Sequence, residues 1–199
     1  MEIVIATRNL HKVREFREMM KTLPSVDVLS LHDFPHYQLP NIQRATFEES
    51  AMEKALHAAT ALNKLVLADD SGLVIPALGG APGPSSKTYA GEEATDRENC
   101  QKVLKELVGK NDLDRAAYLV CTLACADADG IKKTVTSVCE GEVIEEERGR
   151  FGYGYDSIFR KHDYDKTFSE LDESIRIRIS HRRKAFEKLV IYLETVCRQ

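Results

Sequence analysis

The chain has 199 residues, of which 43% are hydrophobic and 30% are charged, and its formal net charge at pH 7 is −4. This length suffices for one well-buried core, so we expect a single domain over residues 1–199. The negative net charge argues against nucleic acid or an anionic membrane as a partner, because both usually select an excess of Lys and Arg. No apolar run approaches the roughly 18 to 20 residues that a membrane span needs, and no basic leader precedes the first apolar run, so we expect neither a span nor a targeting segment.

Cysteine usage indicates a reducing compartment. The Cys121-x-x-x-Cys125 spacing is not typical of zinc ligands or of a redox motif. An odd number of scattered cysteines predicts reduced core thiols and a cytoplasmic protein; the five are Cys100, Cys121, Cys125, Cys139 and Cys197.

Strands and helices alternate along the first half of the chain. Residues 2–6, which are apolar after Glu2, are typical of a buried strand, and a polar turn separates them from an amphipathic helix. Thr46 and Glu49 have the spacing of a capping box, which predicts the start of a second helix. The apolar run 65–68 then predicts another buried strand, which we expect to break at the glycine turn that follows it.

The second half begins with a loop and continues with a helix and a hairpin. Residues 79–86 are too rich in Gly and Pro for a regular element. A further capping box at Thr95 and Glu98 predicts a third helix. The long segments 116–126 and 131–143 predict two antiparallel strands joined by a tight turn.

With a final helix that Ser180 caps, this order of elements favours an α/β fold: a mixed sheet with helices on its faces. We also expect the domain to consist of two lobes with a cleft between them.

The adjacent carboxylates Asp69 and Asp70 follow the predicted strand 65–68. Because buried charge is costly unless it is paired or binds a metal, the pair is a candidate site for a hard cation beside a phosphate. The alternative is a solvated turn in which one of the two carboxylates caps backbone N–H groups.

Two segments are candidates for binding phosphate. Between the first strand and the first helix, the segment Thr7–Lys12 offers backbone N–H groups and the positive end of a helix. The alternative is that Asn9 is an ordinary N-cap and that Lys12 and Glu15 lie on a solvated face. On the second predicted helix, Lys54 is placed to reach a phosphate or else is a surface lysine.

Two further segments are candidates for binding a planar base. In the segment Tyr153–Asp156, glycine allows close approach, an aromatic ring can stack and a carboxylate can accept from ring N–H groups; a structural aromatic turn is the alternative. His181 and Arg182 lie at a predicted helix start, where cations are unfavourable unless an electron-rich group faces them.

Taken together, these motifs resemble the inosine triphosphate pyrophosphatase family over nearly the whole chain. The resemblance implies a homodimeric, Mg²⁺-dependent enzyme with an elongated mixed sheet and two lobes. It also implies hydrolysis of ITP, dITP and XTP to the monophosphate and pyrophosphate, with the nucleotide in the cleft. The matching segments are Ala6-Thr7-Arg8-Asn9-x-x-Lys12, Thr46-Phe47-x-Glu49-Ser50-Ala51-x-x-Lys54-Ala55, Ala68-Asp69-Asp70-Ser71-Gly72-Leu73, Gly79-Gly80-Ala81-Pro82-Gly83, Tyr153-Gly154-Tyr155-Asp156 and Ile179-Ser180-His181-Arg182.

The resemblance also implies roles for individual residues. Asp70 would accept the proton of the attacking water and bind Mg²⁺ together with Asp69. The residues implied to bind the triphosphate are Thr7, Arg8, Asn9, Leu10, His11, Lys12, Lys54 and Ser71. Those implied to surround the purine are Tyr153, Gly154, Tyr155, Asp156, Arg176, His181 and Arg182. Donors aimed at a 6-keto oxygen would accept hypoxanthine or xanthine and reject the 6-amino group of adenine.

Departures from the family pattern fall within the motifs. The acidic residue expected shortly before Thr46 is absent, so that water, Asn41 or Glu49 would replace one metal ligand. A lysine expected before the His-Arg pair is replaced by Arg176, which keeps the charge but not the geometry. The family usually has other residues at five more positions, occupied here by Arg8, Ser50, Ser85, Thr88 and Ser157.

The sequence therefore predicts a cytoplasmic pyrophosphatase that removes deaminated purine nucleotides. It does not rank ITP, dITP and XTP. Two alternatives stay open: an enzyme of the same fold that prefers another base, and a nucleotide-binding regulator that has lost catalysis.

Overall fold

The structure is a computed structural model that describes residues 1–197 of the chain, and a single six-stranded sheet organises it. The strands are β1 (Glu2–Ile5), β2 (Asp27–Ser30), β3 (Val66–Val74), β4 (Ala116–Asp127), β5 (Gly130–Val143) and β6 (Phe159–Lys161). Their order in the sheet is β2-β1-β3-β4-β5-β6. Strands β2 and β6 are short, and the sequence did not predict them.

The sheet is mixed, as the order of elements predicted. Strand β1 pairs in parallel with both β2 and β3, whereas β5 and β6 are antiparallel. Strands β4 and β5 are neighbours joined by two residues, a connection that only antiparallel strands allow. The predicted hairpin is therefore confirmed.

Five α-helices accompany the sheet within the described residues. The capping boxes predicted at Thr46 and Thr95 are both formed and begin the second and third helices. Within residues 1–197, every helix is too short or too polar to span a membrane. The helices are α1 (Leu10–Met20), α2 (Phe47–Leu62), α3 (Asp96–Glu106), α4 (Glu173–Ile179) and α5 (His181–Cys197). Helix α4 was not predicted.

The chain divides into two compact units, each with its own core. The first unit comprises residues 1–70, 121–137 and the described residues from 182 onward, and its core packs alanines of α2 against β1, β3 and β4. The second comprises residues 71–120 and 138–181, and its core joins α3 to the ends of β3 and β5 and to Phe159 and Phe168.

The strand prediction around the Asp pair was wrong in one respect. Strand β3 does not break at Gly72 but continues through it to Val74. Position 72 has no room for a side chain, because an added Cβ would lie 2.1 Å from the hydroxyl oxygen of Ser86 and 2.8 Å from the carbonyl oxygen of Gly83. The glycine therefore serves packing against the 83–88 segment rather than a turn.

Candidate active site

Strand β3 presents Asp69 and Asp70 to different surroundings. Successive residues of a strand point to opposite faces of the sheet. Asp69 is buried and pairs with Lys12 of α1, whereas the partly exposed Asp70 pairs with Lys54 of α2 at 2.5 Å. Each predicted carboxylate thus has one of the two predicted phosphate-binding lysines beside it.

Both carboxylate oxygens of Asp69 accept hydrogen bonds. Lys12 contacts Oδ1, while Oδ2 accepts from the Nε of Arg182 at 3.0 Å and from the thiol of Cys121 at 3.0 Å. Burial alone raises the pKa of Asp69, but Arg182 and Lys12 outweigh it and hold the pKa well below the ordinary value. Asp69 is therefore a stable buried anion.

Arg182 also contacts Glu15, for which a solvated face is one of the alternatives that the sequence allows. That alternative is wrong for Glu15, because its residue exposure is 5% and its Oε2 accepts from the Nη1 of Arg182 at 2.6 Å. The cation at the start of α5 is thus met by two carboxylates within the first unit. The sequence signalled the need for an acceptor at Arg182 but not its identity, since Glu15 lies 167 residues away.

Asp70 is suited to exchange a proton. Burial raises the pKa of Asp70 above its ordinary value, although the ammonium group of Lys54 opposes the shift. Among the described residues, the hydrogen bond to this carboxylate comes from Lys54 and goes to Oδ1. The two neighbouring carboxylates therefore differ in character: Asp69 stays ionised, and Asp70 holds a proton more readily.

The segment Thr7–Lys12 differs from expectation at its backbone. Asn9 is an N-cap, and its Oδ1 accepts from the backbone N–H groups of His11 at 2.9 Å and of Lys12 at 3.3 Å. The N–H of Asn9 in turn donates to the Thr7 hydroxyl at 3.1 Å. The prediction of N–H groups ready for an anion was wrong for these three, since each already has an acceptor. Leu10, which lies between them, is 65% exposed.

Arg8, one of the departures from the family pattern, contacts the protein itself. Its Nη2 donates to the carbonyl of Tyr37 at 2.7 Å and more weakly to that of Phe34 at 3.4 Å. His32 lies 3.0 Å from the carbonyl of Arg8. Arg8 thereby joins the loop after β1 to the segment after β2.

Glu49 is engaged as a helix cap. Its carboxylate accepts from the N–H of Thr46 at 3.2 Å, which completes the capping box of α2. Within residues 1–197 there is no group of three or more His, Cys, Asp or Glu side chains that could hold a metal ion by itself. A metal here would therefore need ligands beyond the carboxylate pair.

The second unit contains the candidate base-binding residues of the segment Tyr153–Asp156. The Oδ2 of Asp156 accepts from the N–H of Tyr153 at 3.1 Å and lies 3.7 Å from the Nε of Arg176. Tyr155 is buried, and its hydroxyl donates to the carbonyl of Ser86 at 2.7 Å. Tyr155 thus belongs to the core of this unit, while Tyr153 is partly exposed.

Arg176 is a buried cation with unused donors. It is 4% exposed, and among the described residues its Nε and Nη1 have no hydrogen-bond partner. Buried polar groups in folded proteins normally do have one. The guanidinium therefore has donors to offer an acceptor such as a carbonyl oxygen. His181 is also buried in this unit, and Ser71 is partly buried.

Comparison with known proteins agrees with the motifs. A dITP/XTP pyrophosphatase of Protochlamydia amoebophila is 52% identical, with 98% of this chain and 99% of the relative covered. A protein of the same name from Chlamydia abortus is 44% identical over 98% of this chain and 95% of the relative.

Solved structures match as well. The Ham1 protein of Staphylococcus aureus has a TM-score of 0.86 at 38% identity, and a HAM1 protein of Coxiella burnetii has 0.86 at 39%, each covering 98% of this chain and 99% of its own. The model of the Ham1 family matches residues 3–192. The chain therefore belongs to the Ham1 family.

Proposed function

We propose that this protein hydrolyses deaminated purine nucleoside triphosphates, dITP, ITP and XTP, to the monophosphate and pyrophosphate. The observation that carries the chemistry is the carboxylate pair Asp69–Asp70 among Lys12, Lys54 and Arg182. Three cations around two carboxylates suit a polyanionic substrate. The relatives from Protochlamydia amoebophila and Chlamydia abortus are named dITP/XTP pyrophosphatases, which supports the substrate class.

We propose Asp70 as the general base. Its carboxylate is partly exposed and Lys54 donates to Oδ1, so Oδ2 would accept a proton from water that attacks the α-phosphorus. Lys54, hydrogen-bonded to the same carboxylate, and Lys12 would neutralise the charge that spreads over the phosphate oxygens. Thr7 to Lys12 and Ser71 would bind the triphosphate through side chains, because the N–H groups of Asn9, His11 and Lys12 already have acceptors.

The donor set fits a divalent cation, which we propose to be Mg²⁺. Mg²⁺ usually relies on one or two carboxylates together with substrate phosphates and water. Asp70 would be its principal ligand, since both oxygens of Asp69 are already bound by cations. When bound, the metal would supply charge neutralisation at the phosphates.

We propose that Tyr153–Asp156, Arg176 and His181 recognise the base. The buried donors of Arg176 would be satisfied by a 6-keto oxygen and opposed by a 6-amino group. Arg182 is a different case, because its Nε and Nη1 donate to Asp69 and Glu15. We therefore propose that Arg182 acts by holding Asp69, whereas the family resemblance implied a contact with the base.

Several assignments stay predictions: one catalytic domain over the whole chain with a cleft between its lobes, a homodimer, and a cytoplasmic location. The four cysteines whose side chains are described, Cys100, Cys121, Cys125 and Cys139, are buried thiols, as expected of a protein in a reducing compartment. The side chain of Cys197 lies outside the described part.

Product analysis tests the proposed function. With dITP and Mg²⁺, and without a coupling enzyme, we expect dIMP and pyrophosphate. Accumulation of dIDP with orthophosphate would place attack at the γ-phosphorus and contradict the proposal. Turnover of XTP, dATP, CTP and UTP distinguishes another base preference, and dITP binding without turnover would identify a regulator.

A further inference from the structure

Helix α3 holds the backbone of the 153–156 segment at Gly154. The N–H of Gly154 donates to the carboxylate of Asp96 at 2.6 Å. The carbonyl of the same residue accepts from the thiol of Cys100 at 3.3 Å. Asp96 and Cys100 are four residues apart on α3 and so lie on one face of the helix. Both polar backbone groups of one glycine are therefore bound by a single helix face.

Gly154 is a position where such restraint matters. Its φ of +62° lies in the left-handed region, which glycine enters readily because it has no Cβ. The same lack of a side chain gives glycine more conformational freedom to lose when the segment is ordered. The hydrogen bonds from α3 therefore restrain the one glycine that lies between the partly exposed Tyr153 and the buried Tyr155.

Helix α3 is itself anchored independently of this contact. The capping box of Thr95 and Glu98 begins the helix. Asn99 is 2% exposed, accepts from the N–H of Ala90 at 2.8 Å and donates to the carbonyl of Lys87 at 3.0 Å. Thus α3 is a fixed support for the 153–156 segment rather than an element that depends on it.

We propose that Asp96 is a positioning residue for base recognition: it acts through Gly154 to keep Tyr153 and Asp156 in their binding conformation and does not itself touch the nucleotide. This inference rests on the proposed function, in which these two residues face the purine. A pre-ordered binding segment strengthens binding because less conformational entropy is lost when the ligand binds. The expected signature is a change in KM and in base preference more than in kcat.

The test compares Asp96→Ala, Asp96→Asn and the control Glu98→Ala. Asp96→Ala removes the acceptor of the Gly154 N–H, so kcat/KM for dITP should fall about 10-fold, mainly through KM, while that for dATP changes less than about 2-fold. Asp96→Asn retains an acceptor oxygen, so it should keep most of the wild-type kcat/KM for dITP. Glu98→Ala removes an acid from the same helical turn and breaks the capping box, so it should lower the melting temperature without changing the dITP to dATP ratio.

Three outcomes would overturn the inference: an unchanged ratio in Asp96→Ala, an equal loss in Asp96→Asn, or the same shift of the ratio in Glu98→Ala. Should Asp96→Ala not fold, Cys100→Ala removes the hydrogen bond to the Gly154 carbonyl and should raise KM for dITP about threefold; no rise would count against the proposal.

A wild-type enzyme that does not convert dITP to dIMP and pyrophosphate would contradict the proposed function instead. In that case faster amide hydrogen exchange of Gly154 in Asp96→Ala would still confirm that Asp96 restrains Gly154, and an unchanged exchange rate would refute it.

Discussion

The buried network around Arg182 allows a quantitative prediction. Within the first unit, the cations Lys12 and Arg182 contact the carboxylates Asp69 and Glu15, so that two positive charges face two negative ones. The side chains of Arg182, Asp69 and Glu15 are 3%, 1% and 6% exposed. Removal of Arg182 leaves two buried carboxylates facing one ammonium group.

The magnitude follows from this imbalance. Breaking a buried ion pair by removing one partner costs about 3–5 kcal/mol of unfolding free energy, because the other charge stays buried and uncompensated. We expect a loss in this range for Arg182→Met. Glu15→Gln should cost less, since Arg182 keeps Asp69 as a partner. In the double variant the charges balance again, so the two losses should fall short of additivity by about 2–3 kcal/mol.

Urea unfolding monitored by far-UV circular dichroism measures these free energies. Arg183→Met is the matched control, because Arg183 is the next residue and pairs with Glu187 at 2.9 Å on the exposed side of α5, with the Glu187 side chain 56% exposed. Such a surface pair contributes only about 0.3–0.5 kcal/mol. Additive losses in the double variant, or a cost of Arg182→Met no larger than that of the control, would refute the assignment of a buried network.

The same variant separates the two roles of Arg182. If it supports Asp69, Arg182→Met lowers kcat/KM for dITP and dATP by the same factor. If its guanidinium contacts the 6-keto oxygen, the loss falls on dITP, and the dITP to dATP ratio drops. We expect the uniform loss, because the Nε and Nη1 of Arg182 already donate to carboxylates.

Two further predictions concern the carboxylate pair and the thiols. Asp70→Asn keeps the shape of the side chain but not its charge, so it should lower kcat at least about 100-fold while circular dichroism shows a folded protein; near-normal turnover would remove Asp70 from its role. Burial raises the pKa of both Cys100 and Cys125 to about 12, so iodoacetamide at neutral pH should leave them unmodified in the native protein and label them in urea. Peptide mass mapping measures this, and rapid native labelling would contradict the burial.

Local patterns in the sequence were reliable where neighbouring residues alone decide the structure. The capping boxes at Thr46 and Thr95 need only a side chain and a backbone N–H three residues apart, and both are formed. The hairpin of β4 and β5 likewise follows from a short turn between two segments rich in strand-forming residues such as Val and Thr. Strand β2 was missed because its four residues carry no alternating pattern and are placed by parallel pairing with β1.

The sequence by itself determined the mixed α/β class, the positions of the candidate motifs and the resemblance to a family of pyrophosphatases. Only the tertiary structure decided which charges meet, because Arg182 lies 113 residues from Asp69 and 167 from Glu15. It also decided that Tyr155 belongs to the core and that Asp96 binds Gly154. Ion pairs and hydrogen bonds depend on a few ångströms of separation, and sequence spacing specifies such distances only within a single helix, strand or turn.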